Sequence, residues 1–131
     1  MEIKKKEITY RGKTIEELRK LDVREFAKFL PSRQRRTVLR NFQEIEKFIT
    51  RSQEKIAKSK KIKTHLRDLV IVPQMVGMKI QVHNGNSFIP IDIIEEMLGH
   101  NLGEFSLTRS KVKHSKAGVG ATKGSKANSK K

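Results

Sequence analysis

The fold is indicated by one stretch, Lys79-Ile80-Gln81-Val82-His83-Asn84-Gly85-Asn86-Ser87-Phe88-Ile89-Pro90-Ile91. Apolar and polar residues alternate on both sides of Asn84-Gly85, which is the period of a β-strand with one buried face. Asn-Gly suits the two positive φ angles of a type I′ turn, so the stretch predicts a β-hairpin. Because Pro90 has no N–H to donate, the second strand is expected at an edge of its sheet.

A short helix is predicted directly after the hairpin, over residues 93–98. Asp92 and Glu95 have the spacing of a capping box, in which each residue satisfies a free backbone N–H of the other. Gly99 suits the position after a helix C-terminus, where a positive φ is common. The order of helix, hairpin and helix predicts an α+β fold, with a small antiparallel sheet and helices packed on one side.

The chain before the hairpin predicts helices. Thr14 with Glu17 and Asp22 with Glu25 have capping-box spacing. Pro31 closes the second of these segments and leaves Ser32 to cap a third, longer helix. An apolar stripe then follows at steps of three and four over about 25 residues, as expected for one buried helix face. The stripe consists of Val38, Phe42, Ile45, Ile49, Ser52 and Ile56.

The remaining surface of this long helix is mostly cationic. Its first part carries four arginines that we assign to RNA contact: Arg33, Arg35, Arg36 and Arg40. A helix that needs only solubility mixes both signs of charge, so we interpret this surface as facing phosphates. The alternative is a solvated charged face above a core stripe, which is usual for helices.

The overall charge points to a polyanionic partner. The chain has 131 residues with 30 Lys and Arg against 14 Asp and Glu, a net charge of +16 that repels itself unless a polyanion neutralises it. No run of about 18 apolar residues is available to span a membrane. No apolar segment follows the first lysines to form a secretory signal, and there is no cysteine, so we expect a cytoplasmic protein.

Composition divides the chain into three expected segments. Residues 1–62 form a charged N-terminal helical extension, residues 63–108 an α+β core, and residues 109–131 a basic flexible tail. The tail has few apolar side chains to bury and no acidic residue after Glu104, so we expect it to be disordered until a polyanion binds it. Its cations assigned to RNA contact are Arg109, Lys111, Lys113, Lys116 and Lys123.

Catalytic and metal sites are not predicted. The four histidines lie far apart in sequence, and no spacing suggests a zinc site. Glu95 and Glu96 would point about 100° apart on a helix, which excludes a facing acid–base pair. In the glycine-rich segment 118–125, Lys123 precedes Gly124, whereas a phosphate-binding loop needs the lysine after the glycine. We therefore expect no enzyme and no cofactor.

A folded RNA is the partner that these features favour. Aromatic residues make up only 5% of the chain, which argues against a stacking platform for single strands. Phosphate neutralisation and fit to the shape of a folded RNA suit the composition better. A free-standing DNA-binding protein of the nucleoid or chromatin type is the alternative.

Five strings in the middle of the chain follow a characteristic order: Lys63-Thr64-His65-Leu66-Arg67, Pro73-Gln74-Met75-Val76-Gly77, Val82-His83-Asn84-Gly85, Glu96-Met97-Leu98-Gly99-His100-Asn101-Leu102-Gly103-Glu104-Phe105 and Thr108-Arg109. Together they closely resemble the S-nineteen (S19) family of small-ribosomal-subunit proteins. The N-terminal Thr9-Tyr10-Arg11-Gly12, residues 32–36 and residues 113–122 resemble its archaeal and eukaryotic branch.

The resemblance implies a structural role in the head of the small ribosomal subunit, bound to small-subunit ribosomal RNA. It also implies a position beside the S-thirteen (S13) protein and near the bridge to the large subunit, with the tail reaching the decoding region and the A-site and P-site tRNAs. The positions that it marks as RNA-facing are Lys63, Thr64, Arg67, His83, Asn84, Gly85, His100, Thr108 and Arg109. Many relatives carry Lys or Arg at position 86, where this chain has Asn86.

Overall fold

The structure is a computed structural model and describes residues 6–113. Their fold is α+β, which confirms the predicted class. The strands are β1 (Thr9–Tyr10), β2 (Lys13–Thr14), β3 (Ile62–Thr64), β4 (Lys79–His83) and β5 (Phe88–Asp92), and the α-helices are α1 (Ile15–Arg19), α2 (Val23–Phe26) and α3 (Ser32–Ala57). Four short 3₁₀ helices complete the fold: Ala27–Phe29, Pro73–Met75, Glu95–Met97 and Leu102–Phe105.

Both predicted capping boxes at the N-terminal helices are present. In α1, the Thr14 Oγ1 accepts from the Glu17 N–H at 3.4 Å, and the Glu17 carboxylate accepts from the Thr14 N–H at 3.3 Å. In α2, Asp22 and Glu25 make the same reciprocal arrangement. These contacts satisfy N–H groups that the first helical turn leaves without intrahelical acceptors.

The long helix α3 spans 26 residues and begins one residue earlier than predicted. Pro31, not Ser32, is the residue before the first turn, because the Pro31 carbonyl accepts the first helical bond from the Arg35 N–H at 2.9 Å. Ser32 therefore lies inside the helix and caps nothing. The fixed φ of proline, here −55°, accounts for this, since it sets the chain direction at the helix entrance.

The apolar stripe of α3 is confirmed except at its last position. Val38, Ile45, Ile49 and Ser52 are buried, whereas Ile56 is 50% exposed because the helix extends past the edge of the core there. Phe42 is partly buried, and the Arg24 guanidinium covers its ring at 3.7 Å from the centroid. Such a cation–π contact lets an arginine of α2 close the side of the core without an apolar residue.

The predicted hairpin belongs to a three-stranded sheet with the order β3-β4-β5. Strands β4 and β5 pair antiparallel with Ile80 opposite Ile91, and Pro90 lies on the edge strand as predicted. The third strand, β3, pairs parallel with β4 and was not predicted. Its three residues are too few to show a period of their own.

The hairpin connection differs from the predicted type I′ turn. Asn84 does not have a positive φ, and only Gly85 does, at +99°. The strands are joined by the four residues 84–87, closed by the Asn84 N–H donating to the Ser87 carbonyl at 3.0 Å. The Asn84 Oδ1 also accepts from the N–H groups of Asn86 and Ser87, at 2.9 and 2.7 Å. This side-chain turn replaces the second positive φ.

The helix predicted over residues 93–98 is reduced to the 3₁₀ turn Glu95–Met97, without a side-chain cap. Asp92 is the last residue of β5, and Ile93 continues the pairing, donating to the Met78 carbonyl at 3.0 Å and accepting from the Gly77 N–H at 2.9 Å. This backbone pairing with residues 77 and 78, just before β4, therefore keeps Ile93 extended at the position where the first helical turn was predicted. Gly99 adopts a positive φ of +79°.

One hydrophobic core unites the fold. It is formed by residues of α1, α2, α3, the three-stranded sheet and the buried segment Leu69-Val70-Ile71-Val72. Its members lie on both sides of the boundary expected between residues 62 and 63. Among residues 6–113, no helix is both long and apolar enough to cross a bilayer.

Gly99 provides a test of this core. A Cβ at this position would lie 2.9 Å from the Tyr10 Oη and 3.1 Å from the buried Leu30 Cδ2. We expect Gly99→Ala to lower the free energy of unfolding by about 2 kcal/mol or more, because overpacking adds to the cost of a positive φ. Gly85→Ala has open space and should lose only about 1 kcal/mol. Equal losses in urea unfolding would contradict the tight contact at Gly99.

Candidate nucleic-acid interface

Three of the four predicted arginines of α3 lie together on its exposed side. Arg33, Arg36 and Arg40 line one shallow depression with Thr37 and Asn41, about 220 Å³ in volume. Their spacing of three and four residues places them on one helix face. The buried stripe beginning at Val38 fixes which side of α3 faces solvent. Asn41 interrupts the helical geometry with φ −116° and ψ 20°, so the helix bends beside this depression.

Arg35 has a structural role instead. Its Nε donates to the Ala27 carbonyl at 3.2 Å, and its Nη2 donates to the carbonyls of Lys28 and Leu30 at 3.2 and 3.1 Å. These acceptors belong to the 3₁₀ helix Ala27–Phe29 and the residue after it, and the Ala27 carbonyl also accepts from the Leu30 N–H at 3.2 Å. Arg35 thus fastens the start of α3 to the segment before it.

Arg67 is also engaged within the fold. Its Nη1 donates to the His83 carbonyl at 2.7 Å, and its Nη2 donates to the carbonyls of Gly103 and Ser106 at 2.9 and 2.6 Å. The guanidinium therefore joins the end of β4 to the last 3₁₀ helix. No sequence pattern predicts these contacts, because the acceptors lie 16 to 39 residues further along the chain.

The two neighbouring positions on β3 have opposite environments. Thr64 is buried at 7% exposure, and its Oγ1 accepts from the Leu66 N–H at 3.0 Å. Lys63 is exposed, with its Nζ 5.3 Å from the centroid of the Phe88 ring. Strand alternation accounts for the difference, since successive side chains point to opposite faces of the sheet.

The tip of the hairpin is exposed and internally ordered. Gly85 and Asn86 are exposed, and the Gly85 N–H donates to the His83 Nδ1 at 3.0 Å. The Asn84 side chain accepts two backbone N–H groups within the turn. The backbone that the tip presents to a partner is therefore held in one conformation.

His100 lies apart from the hairpin and carries a carboxylate partner. Its Nδ1 is 2.7 Å from the Glu104 Oε2, and its ring meets the Phe105 ring edge-on at 5.9 Å between centroids. Glu104 also accepts from the Asn101 N–H in a capping box. The pairing of His100 with Glu104 is not one of the sequence predictions, although a spacing of four residues is common for ion pairs.

The last described segment is open to solvent. Thr108, Arg109, Lys111 and Lys113 are exposed, as is every residue from 107 to 113. Lys116 and Lys123, which are predicted RNA contacts, lie outside the described residues. The disorder expected of the tail also concerns residues outside the described part, apart from residues 109–113.

The cations of the interface have few carboxylate partners. Within residues 6–113, two ion pairs form, Lys79 with Asp92 at 3.9 Å and His100 with Glu104. Arg33, Arg36 and Arg40 take part in neither pair. The positive surface of the described chain is therefore largely available to external anions.

Comparisons with known proteins identify the family. Residues 24–114 match the family described as ribosomal protein S19. The chain is also 49% identical over 123 residues to the small ribosomal subunit protein uS19 of the archaeon Methanocella arvoryzae, covering 94% of this chain and 86% of that protein. The chain belongs to the ribosomal protein S19 family. The resemblance to the archaeal type is thereby confirmed, and membership implies a structural role in the ribosome.

The S19 match includes most of the candidate interface. It begins within α2 and extends through α3, the three-stranded sheet and residues 108–113. Lys116 and Lys123 lie beyond it. In this S19 protein, the exposed arginines of α3 and the hairpin thus belong to one family domain.

Arg67 and Arg36 provide a matched pair for separating structure from binding. Arg67→Lys keeps the charge but cannot reach three carbonyls, so we expect it to lower the free energy of unfolding by about 2 kcal/mol or more, since one net hydrogen bond to a charged group contributes about 1.5–3 kcal/mol. Arg36→Lys has no such contacts to lose and should unfold like the parent chain in urea. A stable Arg67→Lys variant would contradict the structural assignment.

Proposed function

We propose that the chain is a non-enzymatic structural constituent of the small ribosomal subunit, located in the cytoplasm, that binds small-subunit ribosomal RNA. The observation that carries the proposal is the group Arg33, Arg36 and Arg40, gathered around one depression without a carboxylate partner. An arginine fork matches the geometry of phosphate oxygens. The small-subunit name of the archaeal relative supports the same conclusion.

The interface that we propose has three parts. The first is the arginine face of α3, and the second is the outer side of the hairpin with Lys63, His83 and the exposed tip at Gly85. The third is the exposed segment 108–113, which leads into the tail. Arg35, Arg67 and Thr64 contribute by holding these parts in place, because their polar atoms are bound within the fold.

The finer placement rests on the family resemblance. We propose a position in the head of the subunit, beside the S13 protein and near the bridge to the large subunit. The basic tail, including Lys116 and Lys123, is proposed to reach towards the A-site and P-site tRNAs. Its composition supports this, since it has seven lysines after Arg109 and no acidic residue.

Salt dependence tests the electrostatic basis of binding. If about 6–10 phosphates are contacted, the affinity for small-subunit ribosomal RNA should fall roughly 10³–10⁵-fold between 50 and 200 mM salt. Arg36→Gln should reduce the slope of log affinity against log salt by about one. Lys20→Gln, which removes an exposed charge after α1, should leave the slope unchanged.

Two outcomes would contradict the proposed function. A nearly flat salt response would remove its electrostatic basis. Preference for duplex DNA over folded ribosomal RNA in direct competition would instead assign the chain to free-standing DNA-binding proteins.

Removal of residues 114–131 tests the tail. The variant should fold, because the core residues lie between Ile15 and Leu102. We expect it to sediment with small subunits but to reduce tRNA binding to them, because the proposed cationic contacts are lost. The full-length double variant Lys116→Gln and Lys123→Gln should weaken tRNA binding in the same direction. Unchanged tRNA binding in both variants would remove the tRNA role.

A further inference from the structure

Three rings form a triangular cluster on the outer face of the three-stranded sheet. His83 on β4 is paired with Phe88 on β5, and His65 directly follows Thr64, the last residue of β3, which is paired with Val82. The ring centroids are 4.4 Å apart for His65 and His83, 5.1 Å for His65 and Phe88, and 4.9 Å for His83 and Phe88. Each ring therefore contacts the other two, although they come from three separate segments of the chain.

The cluster lies on the side of the sheet away from the core. Ile80 and Val82 point inward and are fully buried, whereas their neighbours Gln81 and His83 are only partly covered. His65 is the most accessible member of the cluster, because it is exposed while the other two rings are partly buried. One imidazole is thus in contact with two other rings and open to solvent.

Cations and a groove lie next to the ring cluster on the same face. The Nζ of Lys63 is 5.3 Å from the centroid of the Phe88 ring. Beyond it, a groove of about 610 Å³ is lined by polar and charged residues that include Lys60, Lys61 and Gln81, and by the apolar residues Ile56, Ile62, Met78 and Pro90. Lys79 in that groove is engaged by Asp92 at 3.9 Å, so Lys60, Lys61 and Lys63 are the lysines available along this path.

We propose that this face binds a short unpaired stretch of RNA, with one base stacked on His65 and the backbone running along Lys63 towards Lys60 and Lys61. The inference rests on the proposed function and adds stacking of an unpaired base to the phosphate contacts proposed there. Every base has a π-face, so a ring cluster bordered by cations accepts unpaired nucleotides with little dependence on sequence. Recognition of RNA outside duplexes commonly uses such sheet surfaces.

The proposed stacking site differs from the sequence expectation, in which the low aromatic content argued against a stacking platform for single strands. The count of aromatic residues omits histidine, and it takes no account of which residues the fold brings together. The groove has apolar walls at Ile56, Ile62 and Met78, but the lysines beside an exposed planar imidazole favour a nucleic acid over a protein partner. An acidic peptide is the occupant that would compete, and the experiment includes it.

The experiment compares two RNA probes on the full-length chain, an adenosine pentanucleotide and an abasic oligomer with the same number of phosphates. His65→Ala should reduce affinity for the pentanucleotide by a factor of about 5 to 150, the loss expected for one base–aromatic stack. Affinity for the abasic oligomer should not change, because it has no base to stack. His65→Phe keeps a ring and should retain most of the affinity.

Ile94→Ala is the matched control, because Ile94 is also exposed, at 49%, but lies after the last strand of the sheet. It should bind both probes like the parent chain, and thermal unfolding should show that His65→Ala remains folded. The inference is overturned if His65→Ala binds the pentanucleotide unchanged, or if the two probes bind the parent chain equally. It is also overturned if an oligoglutamate peptide displaces the pentanucleotide from the sheet. Salt-dependent binding of ribosomal RNA would remain in each case, so these failures are distinct from failure of the proposed function.

Discussion

The guanidinium of Arg67 is the interaction on which the arrangement of the interface depends. It binds the carbonyl oxygens of His83, Gly103 and Ser106. His83 precedes the hairpin tip, Gly103 lies in the last 3₁₀ helix, and Ser106 precedes the exposed segment 107–113. A second contact reinforces it, since the buried Ser106 hydroxyl donates to the Val82 carbonyl at 3.2 Å. A lysine could not replace this side chain, because a single ammonium does not present donors in a rigid planar fork. The same cation that the family resemblance marks as RNA-facing thus holds the proposed interface together.

Two populations of arginine are distinguished by the carbonyl groups within their reach. Arg35 and Arg67 lie beside 3₁₀ segments, and their guanidinium groups bind the Leu30 and Ser106 carbonyls, which lie at the ends of those segments where helical donors are lacking. Arg33, Arg36 and Arg40 lie on the outer face of α3, and their guanidinium groups bind no carbonyl of the described residues. Their charges are therefore left for an external anion. The division is determined by local backbone structure, since all five residues have the same chemistry.

The parts of the fold predicted from sequence are those that depend on neighbouring residues. The capping boxes at Thr14 and Asp22, the stripe of α3 and the alternation around Asn84-Gly85 all act within one turn or one hairpin. Strand β3 was missed because it is only three residues long and its pairing with β4 is distant in sequence. The prediction of a short helix over residues 93–98 was wrong for a related reason. The backbone of Ile93 forms hydrogen bonds with Gly77 and Met78, and this pairing prevails over a local helix cap. At the site, the charge of α3 indicated the arginine face, whereas the cluster formed by His65, His83 and Phe88 required the fold to bring three distant segments together.

Under the proposed function, the two outer surfaces together favour one kind of RNA. The arginine face of α3 offers cationic forks, which suit phosphates and are indifferent to whether the bases behind them are paired. The outer face of the sheet offers an accessible ring beside lysines, and a ring contributes stacking only when a base has left its duplex. A chain with both surfaces gains most from an RNA in which a helix adjoins an unpaired nucleotide. Neutralising the charge alone requires only a polyanion, whereas satisfying both surfaces together requires a folded RNA of defined shape. The hydrophobic core shared by α3 and the sheet therefore matters, because the two proposed surfaces select one RNA shape only if the distance between them is fixed.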